Sequence, residues 1–248
     1  MTSQRHAPYF FVDAGDLANG EVRLRPEDAK HLAVVRRARP GDQIWASDGA
    51  GTVVSAELVA VGPEGVEARI VRRDIVGRPF PRIVVFQAAS RGHKIDLAVG
   101  KLTELGVEEV VIFASARSVP TWDHAKGTEL LKRWTKVAFE AAKQSRRAWL
   151  PEVGGPLPIE KVASAASGLT IVADAAAPVG LREALGRDNR SDVTIVVGPE
   201  GGLAPGEIEL FCRHGAIAAR LGEGILRTET AGLVIAAAVM YHFGRLGA

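Results

Sequence analysis

Two stretches in the last third of the chain limit the fold more than any other feature. In each, a strand of buried-type residues runs into a glycine-rich turn and then into a helix. The first reads Val193-Thr-Ile-Val-Val197, then Gly198-Pro-Glu-Gly-Gly202, then a helix opened by Pro205. The second runs from Ala216 to Leu221, then Gly222-Glu-Gly-Ile-Leu-Arg-Thr228, then a helix over Glu229 to Phe243. Strands of this kind belong in a mainly parallel α/β sheet, and such sheets bind ligands at the carboxyl ends of their strands. Two such loops side by side would wall one pocket largely with backbone.

The residues also narrow the ligand. Neither loop carries the Lys and Ser/Thr spacing of a phosphate loop. The dinucleotide fingerprint is absent, since Gly222-Glu-Gly224 is followed by Arg227 where a third glycine belongs. Glu200 inside the first loop disfavours a bound phosphate. A neutral or cationic nucleoside fits better, although a tight turn with no ligand explains the first loop equally well on its own.

The two motifs taken together, Val197-Gly-Pro-Glu-Gly-Gly202 with Leu221-Gly222 and Ile225-Leu-Arg-Thr-Glu-Thr-Ala231, resemble the SPOUT, or trefoil-knotted, RNA methyltransferases. They are most similar to the family that methylates N3 of a uridine in 16S ribosomal RNA (uridine 1498 in conventional numbering). The resemblance continues upstream. Lys94, Asp96, Lys101, Thr103-Glu-Leu-Gly-Val107 and Arg117-Ser118 match one block, and Glu140-Ala-Ala-Lys-Gln-Ser145 with Arg147 and Pro151 match another. His31-Leu32, Val35-Arg36, Gly41-Asp42 and Asp48-Gly49 match the family's PUA-like, RNA-binding domain. Residues 151–190 carry no motif.

The order of elements fits this. Short strands over Tyr9–Val12, Glu21–Leu24, 44–46, 52–61 and 66–72, with a helix from Pro26 through His31 and turns at 47–51 and 62–65, predict a small β-barrel over residues 1–76. Gly77-Arg-Pro-Phe-Pro81 reads as a stiff linker. From residue 81 to 248 strands and helices alternate: strands at 83–86, 107–113 and 169–173, helices at 94–105 and 129–147, a short helical piece at 181–185, then the two units above.

Charge is uneven although the total is only +2. Residues 1–80 hold 11 basic and 11 acidic side chains, 81–150 hold 12 and 7, and 151–248 hold 8 and 11. The middle segment is therefore the expected polyanion surface, unless it is only a solvated helix face. Arg36, Arg37, Arg39, Arg91, Lys94, Lys101, Arg117, Arg146 and Arg147 are the expected RNA contacts. One cysteine, Cys212, and no long apolar span predict a cytoplasmic protein outside the membrane. Cys212 and His214 alone make no metal site, so no metal is expected.

The resemblance implies a knot within residues 160–248, S-adenosylmethionine as methyl donor, a homodimer, and 16S ribosomal RNA, within the small ribosomal subunit, as partner. Gly198, Pro199, Glu200, Gly201, Gly202, Leu221, Gly222, Ile225, Leu226, Arg227 and Thr230 are the expected cofactor residues. Backbone at Gly198, Gly201, Gly202, Leu221 and Leu226 would meet adenine edges, with Ile225 and Leu226 against its face. Glu200 would balance the sulfonium, position substrate, or cap the next helix. Uridine N3 is nucleophilic only after losing its proton. Arg227 is the expected cation for that anion. Glu229 is either a general base or an acidic first-turn residue favoured by the helix dipole. Thr228 is expected to cap the helix. Other readings are methylation of a transfer-RNA ribose, a ribosome-assembly RNA-binding protein without catalysis, and an oxidoreductase, the last opposed by the missing fingerprint.

Overall fold

The structure, a computed structural model, describes residues 7–17, 20–62, 65–118, 122–187 and 191–247. The central residues of the turn expected at 62–65 lie outside them. The chain forms two compact units, residues 1–78 with 142–150 and residues 79–141 with 151–248.

The first unit contains β1 (Tyr9–Phe11), β2 (Glu21–Arg23), α1 (Pro26–Lys30), β3 (Gln43–Ser47), β4 (Thr52–Gly62) and β5 (Gly65–Ile75). The strands make one curled sheet in the order β1-β3-β4-β5-β2, antiparallel except for the β1–β3 pair. Alternate residues face inward, so Ile44 and Ala46 meet Val54, Ala56 and Leu58 in a core shared with Phe10 and Leu32. The helix expected to end at His31 instead gives way to a π-helical turn over His31–Val35. Residues 142–150 belong to this unit: Trp149 donates to the Val76 carbonyl at 3.0 Å, and Leu150 N–H to Gly49 O at 2.9 Å. A Cβ on Gly51 would stand 2.5 Å from the Trp149 ring, which requires the glycine.

The second unit contains β6 (Ile83–Ala88), α2 (Lys94–Leu105), β7 (Glu109–Ala114), α3 (His124–Gln144, its last turn lying in the first unit), β8 (Glu152–Pro158), α4 (Ile159–Ala165), β9 (Leu169–Ala173), β10 (Val179–Gly180), α5 (Leu181–Leu185), β11 (Val193–Val197), α6 (Pro205–Arg213), β12 (Ile217–Arg220) and α7 (Thr228–His242). Its seven strands are all parallel, in the order β10-β12-β9-β11-β6-β7-β8. Both faces are covered, which explains the unbroken apolar strands. Ile83, Val85 and Ile195 pack with α2 and α7 on one side. Val84, Phe86 and Val196 pack with Val162 of α4 and Phe211 of α6 on the other.

β12 lies between β9 and β10, although β10 follows β9 directly in sequence. A late strand thus separates two strands that are consecutive in sequence, the order expected of the trefoil-knot arrangement of SPOUT folds. The helix expected to reach Arg147 stops at Gln144. Arg146 there takes a left-handed conformation, φ 56°, and Arg147 N–H returns to Ala142 O. β8 and α4 were not anticipated, because Gly154-Gly-Pro156 reads as a turn although it lies inside a strand.

Candidate active site

The carboxyl ends of β9, β11 and β12 converge on a cavity of about 380 Å³. Its wall takes Ala173–Ala175 from the loop after β9, Val197–Glu200 and Gly202 from the loop after β11, and Leu221, Gly222 and Gly224–Thr228 from the loop after β12. Lys94 at the start of α2 and Ala231 of α7 complete it.

The loop after β11 is braced. A Cβ on Gly198 would stand 2.9 Å from the Leu203 nitrogen, so the turn closes only on glycine. Gly202 takes φ +70° and donates to the Pro199 carbonyl. Arg117 donates to the carbonyls of Gly201 (2.8 Å) and Leu203 (3.4 Å). Gly201, expected at the ligand, does not line the cavity; its Cα faces the Arg117 side chain. Glu200 accepts from Lys94 at 2.6 Å. Burial pushes the Glu200 carboxyl up, but the Lys94 hydrogen bond and charge, with the backbone N–H groups of Glu200 and Arg91, outweigh it and hold the group below 4.5. Glu200 does not cap α6. Glu207 does, accepting from Ala204 N–H at 2.7 Å and, through its other oxygen, from Ala116 N–H at 2.7 Å.

The loop after β12 is open. Beside Gly222 and Gly224 there is free space where a Cβ would stand. Ile225 is 86% exposed, and Leu226 is 37% exposed. Arg227 is the N-cap residue of α7, with its side chain 83% exposed and 4.0 Å from Glu229. Glu229 sits in the first turn of α7, outside the cavity wall. Its Oε2 is buried without a hydrogen-bond partner. Thr228 does not cap the helix: its hydroxyl donates to the Gly198 carbonyl at 2.6 Å and accepts from the Gln87 amide at 2.9 Å, tying α7 to both the first loop and β6. Thr230 lies within α7 and not in the wall.

The residues expected to hold RNA divide. Arg36, Arg37 and Arg39 are exposed on the first unit, and Arg91 is exposed on the second. Lys101 is paired with Glu104 within α2, and Lys94 and Arg117 are committed to the first loop. Arg146 donates to the Ala7 carbonyl, and the Arg147 carbonyl accepts from Tyr9. Asp174 lines the cavity although its stretch of sequence has no motif. Its place one residue beyond a strand was the available signal.

The wall is backbone and apolar side chains with two carboxylates, a lysine held by Glu200, and Arg227, whose side chain runs out into solvent. It suits a flat uncharged base with a cationic arm and offers little to a phosphate.

Comparisons with known proteins agree. A family model for an RNA methyltransferase domain matches residues 78–240, and one for an RNA methyltransferase PUA domain matches residues 24–71. The chain is 34% identical to the ribosomal RNA small subunit methyltransferase E of Mycobacterium bovis, covering 94% of this chain and 91% of that one. It is 30% identical to the enzyme of the same name from Bacillus subtilis, covering 87% and 88%. The fold matches the Neisseria gonorrhoeae ribosomal RNA small subunit methyltransferase E bound to S-adenosyl methionine, with TM-score 0.83, 28% identity, and coverage of 95% and 98%.

Proposed function

This chain belongs to the RNA methyltransferase family, and from that membership we propose that it methylates N3 of one uridine in 16S ribosomal RNA, using S-adenosylmethionine held in the cavity of the three loops. The observation that carries this reading is the pairing of a backbone-walled cavity with an exposed arginine, Arg227, on its rim. The open space beside Gly222 and Gly224 accepts a base lying against backbone, Ile225 and Leu226 offer apolar cover, and the carboxylates tolerate a positive sulfur. When bound, the sulfonium supplies an activated methyl group.

The chain's own residues do the remaining work. Arg227 stands where its planar guanidinium can meet the negative charge that spreads over O2, N3 and O4 as uridine N3 loses its proton. Glu229, two residues on, has a buried carboxylate oxygen without a hydrogen-bond partner and is the candidate base. Gly198, Gly202 and Leu221 present backbone to the ligand, and Thr228 fixes the distance between the loop after β11 and α7.

Residues 1–76 are the proposed RNA-binding domain and 81–248 the methyltransferase domain. Arg36, Arg37, Arg39 and Arg91 are the proposed phosphate contacts, within the assembled small subunit and in the cytoplasm. No helix among the described residues is long and apolar enough to cross a membrane. The outer face of α7 exposes Val234 and Tyr241, seven residues apart on one side, and this apolar stripe is the proposed homodimer surface.

The test is mass mapping of nucleosides after the protein meets unmodified small subunits and labelled cofactor. The reading expects one methyl group on N3 of a uridine in the small-subunit RNA. Label on a ribose or in transfer RNA would replace the substrate, and cofactor binding without transfer would make the chain an assembly factor.

A further inference from the structure

The charged side chains of the cavity wall are Lys94, Asp174, Glu200 and Arg227, and they are not all paired with one another. Lys94 and Glu200 neutralise each other across 2.6 Å. Arg227 points largely into solvent, with Glu229 as its acidic neighbour. Asp174 remains. It lines the cavity, and among the described residues no cationic side chain stands within ion-pair distance of it.

Asp174 is also held in place. Its N–H donates to the Ala219 carbonyl of β12 at 3.1 Å, and its Oδ1 accepts from Ala176 N–H at 3.0 Å. The rest of its loop is fixed by Arg220, whose guanidinium donates to the carbonyls of Ala177 and Pro178. A half-buried carboxylate on a fixed loop, with no counter-ion of its own, favours a cationic ligand.

We infer that Asp174 is the counter-charge for the cationic arm of the methyl donor, while the glycine loops hold its base. This rests on the reading of the cavity given above. The arm carries two cationic centres, the sulfonium and the amino group, and both offer the shared chemistry. On this assignment the loop after β9 sets specificity for the charged cofactor and contributes little to affinity for the nucleoside.

Calorimetry on the full chain tests this with three probes: S-adenosylmethionine; S-adenosylhomocysteine, which keeps the amino group but lacks the sulfonium; and 5′-methylthioadenosine, which keeps base and ribose without either charge. Asp174→Asn leaves an oxygen for the Ala176 N–H. It should weaken S-adenosylmethionine on the order of ten- to a hundredfold, the range for losing a hydrogen bond to a charged group, and leave methylthioadenosine within about twofold. If S-adenosylhomocysteine affinity holds, the cation is the sulfonium; if it falls equally, the cation is the amino group. Methylthioadenosine weakened as much as the methionine form would place Asp174 on the ribose and overturn the inference, as would an unchanged methionine form. Asp174→Ser, also able to accept from Ala176, should repeat the pattern, and unchanged thermal melting separates it from misfolding. Wild-type protein that binds none of the three probes would overturn the cofactor reading itself, which is a different failure.

Discussion

In the loop after β11, Gly202 closes onto Pro199, Arg117 holds two carbonyls, Glu207 ties Ala204 to Ala116, and Lys94 holds Glu200. In the loop after β12, among the described residues, no N–H from 222 to 227 donates a hydrogen bond, and the apolar tip at Ile225 stands in solvent. Both loops carry glycines and both wall the same cavity, yet one is cross-braced by hydrogen bonds and the other, among the described residues, is not. The glycines differ accordingly. Gly198 is needed by the loop itself, whereas Gly222 and Gly224 leave room for something else. The open loop carries Arg227, the residue proposed to act.

The sharpest break between them should come from Arg227. Arg227→Ala should lower kcat by roughly 10²–10³, the size for one preorganised donor, with cofactor affinity little changed. Alkaline pH should partly rescue it, because more of the uridine is already ionised. Single-turnover rates at saturating subunit read this out. A variant that regains the wild-type rate at saturation would make Arg227 a phosphate contact.

Gly198→Ala should destabilise the protein by about 1–3 kcal/mol, because its new methyl meets backbone, and should weaken cofactor binding as the turn shifts. Gly222→Ala should change stability by less than about 0.5 kcal/mol and still weaken the cofactor, since its methyl enters the space the ligand needs. Thermal melts beside calorimetry separate the two, and equal destabilisation would erase the contrast between the loops.

Arg117→Ala should weaken the cofactor by roughly two- to tenfold, the worth of an ordinary hydrogen bond or two. The salt dependence of RNA binding should stay the same. If Arg117 instead holds a phosphate, the slope should fall by about 0.7–1.

The smallest effect belongs to Lys94. Glu200 lies below 4.5 in the folded protein, so it contributes stability above that value and loses it as pH falls through the folded value. In Lys94→Met the upward push of burial loses its main opponent, the folded value moves back toward that of the unfolded chain, and the acid-side loss contributed by Glu200 should shrink. Both partners are 35% exposed, so solvent screens the pair and the shift in melting should be slight. Identical melting curves across the acid range would show that the pair does nothing to brace the loop.

The sequence made the parallel sheet legible through its apolar runs at 83–86, 169–173 and 193–197, since burial on both faces leaves no alternation. It also located both loops, because glycine spacing is a local signal. It could not show which loop is braced, since the bracing comes from Lys94 and Arg117, more than eighty positions away. Those same distant contacts tie Lys94 and Arg117, both expected at RNA, to the first loop. Thr228 misled for a related reason: a threonine at a helix start usually caps it, and here tertiary partners at Gly198 and Gln87 take its hydroxyl. The knot itself rests on β12 lying between β9 and β10, a pairing with no local trace in the chain.

Hydrogen exchange on the two loops, with and without S-adenosylmethionine, tests the central contrast most directly. Amides protected by hydrogen bonds within the fold exchange slowly without any ligand. Gly202 and Ala204 should therefore be protected in the free protein and change little on binding. Residues 222–227 should exchange fast in the free protein and slow markedly when the cofactor saturates. Equal protection of the two loops in the free protein, or fast exchange at 222–227 that survives saturation, would contradict the account.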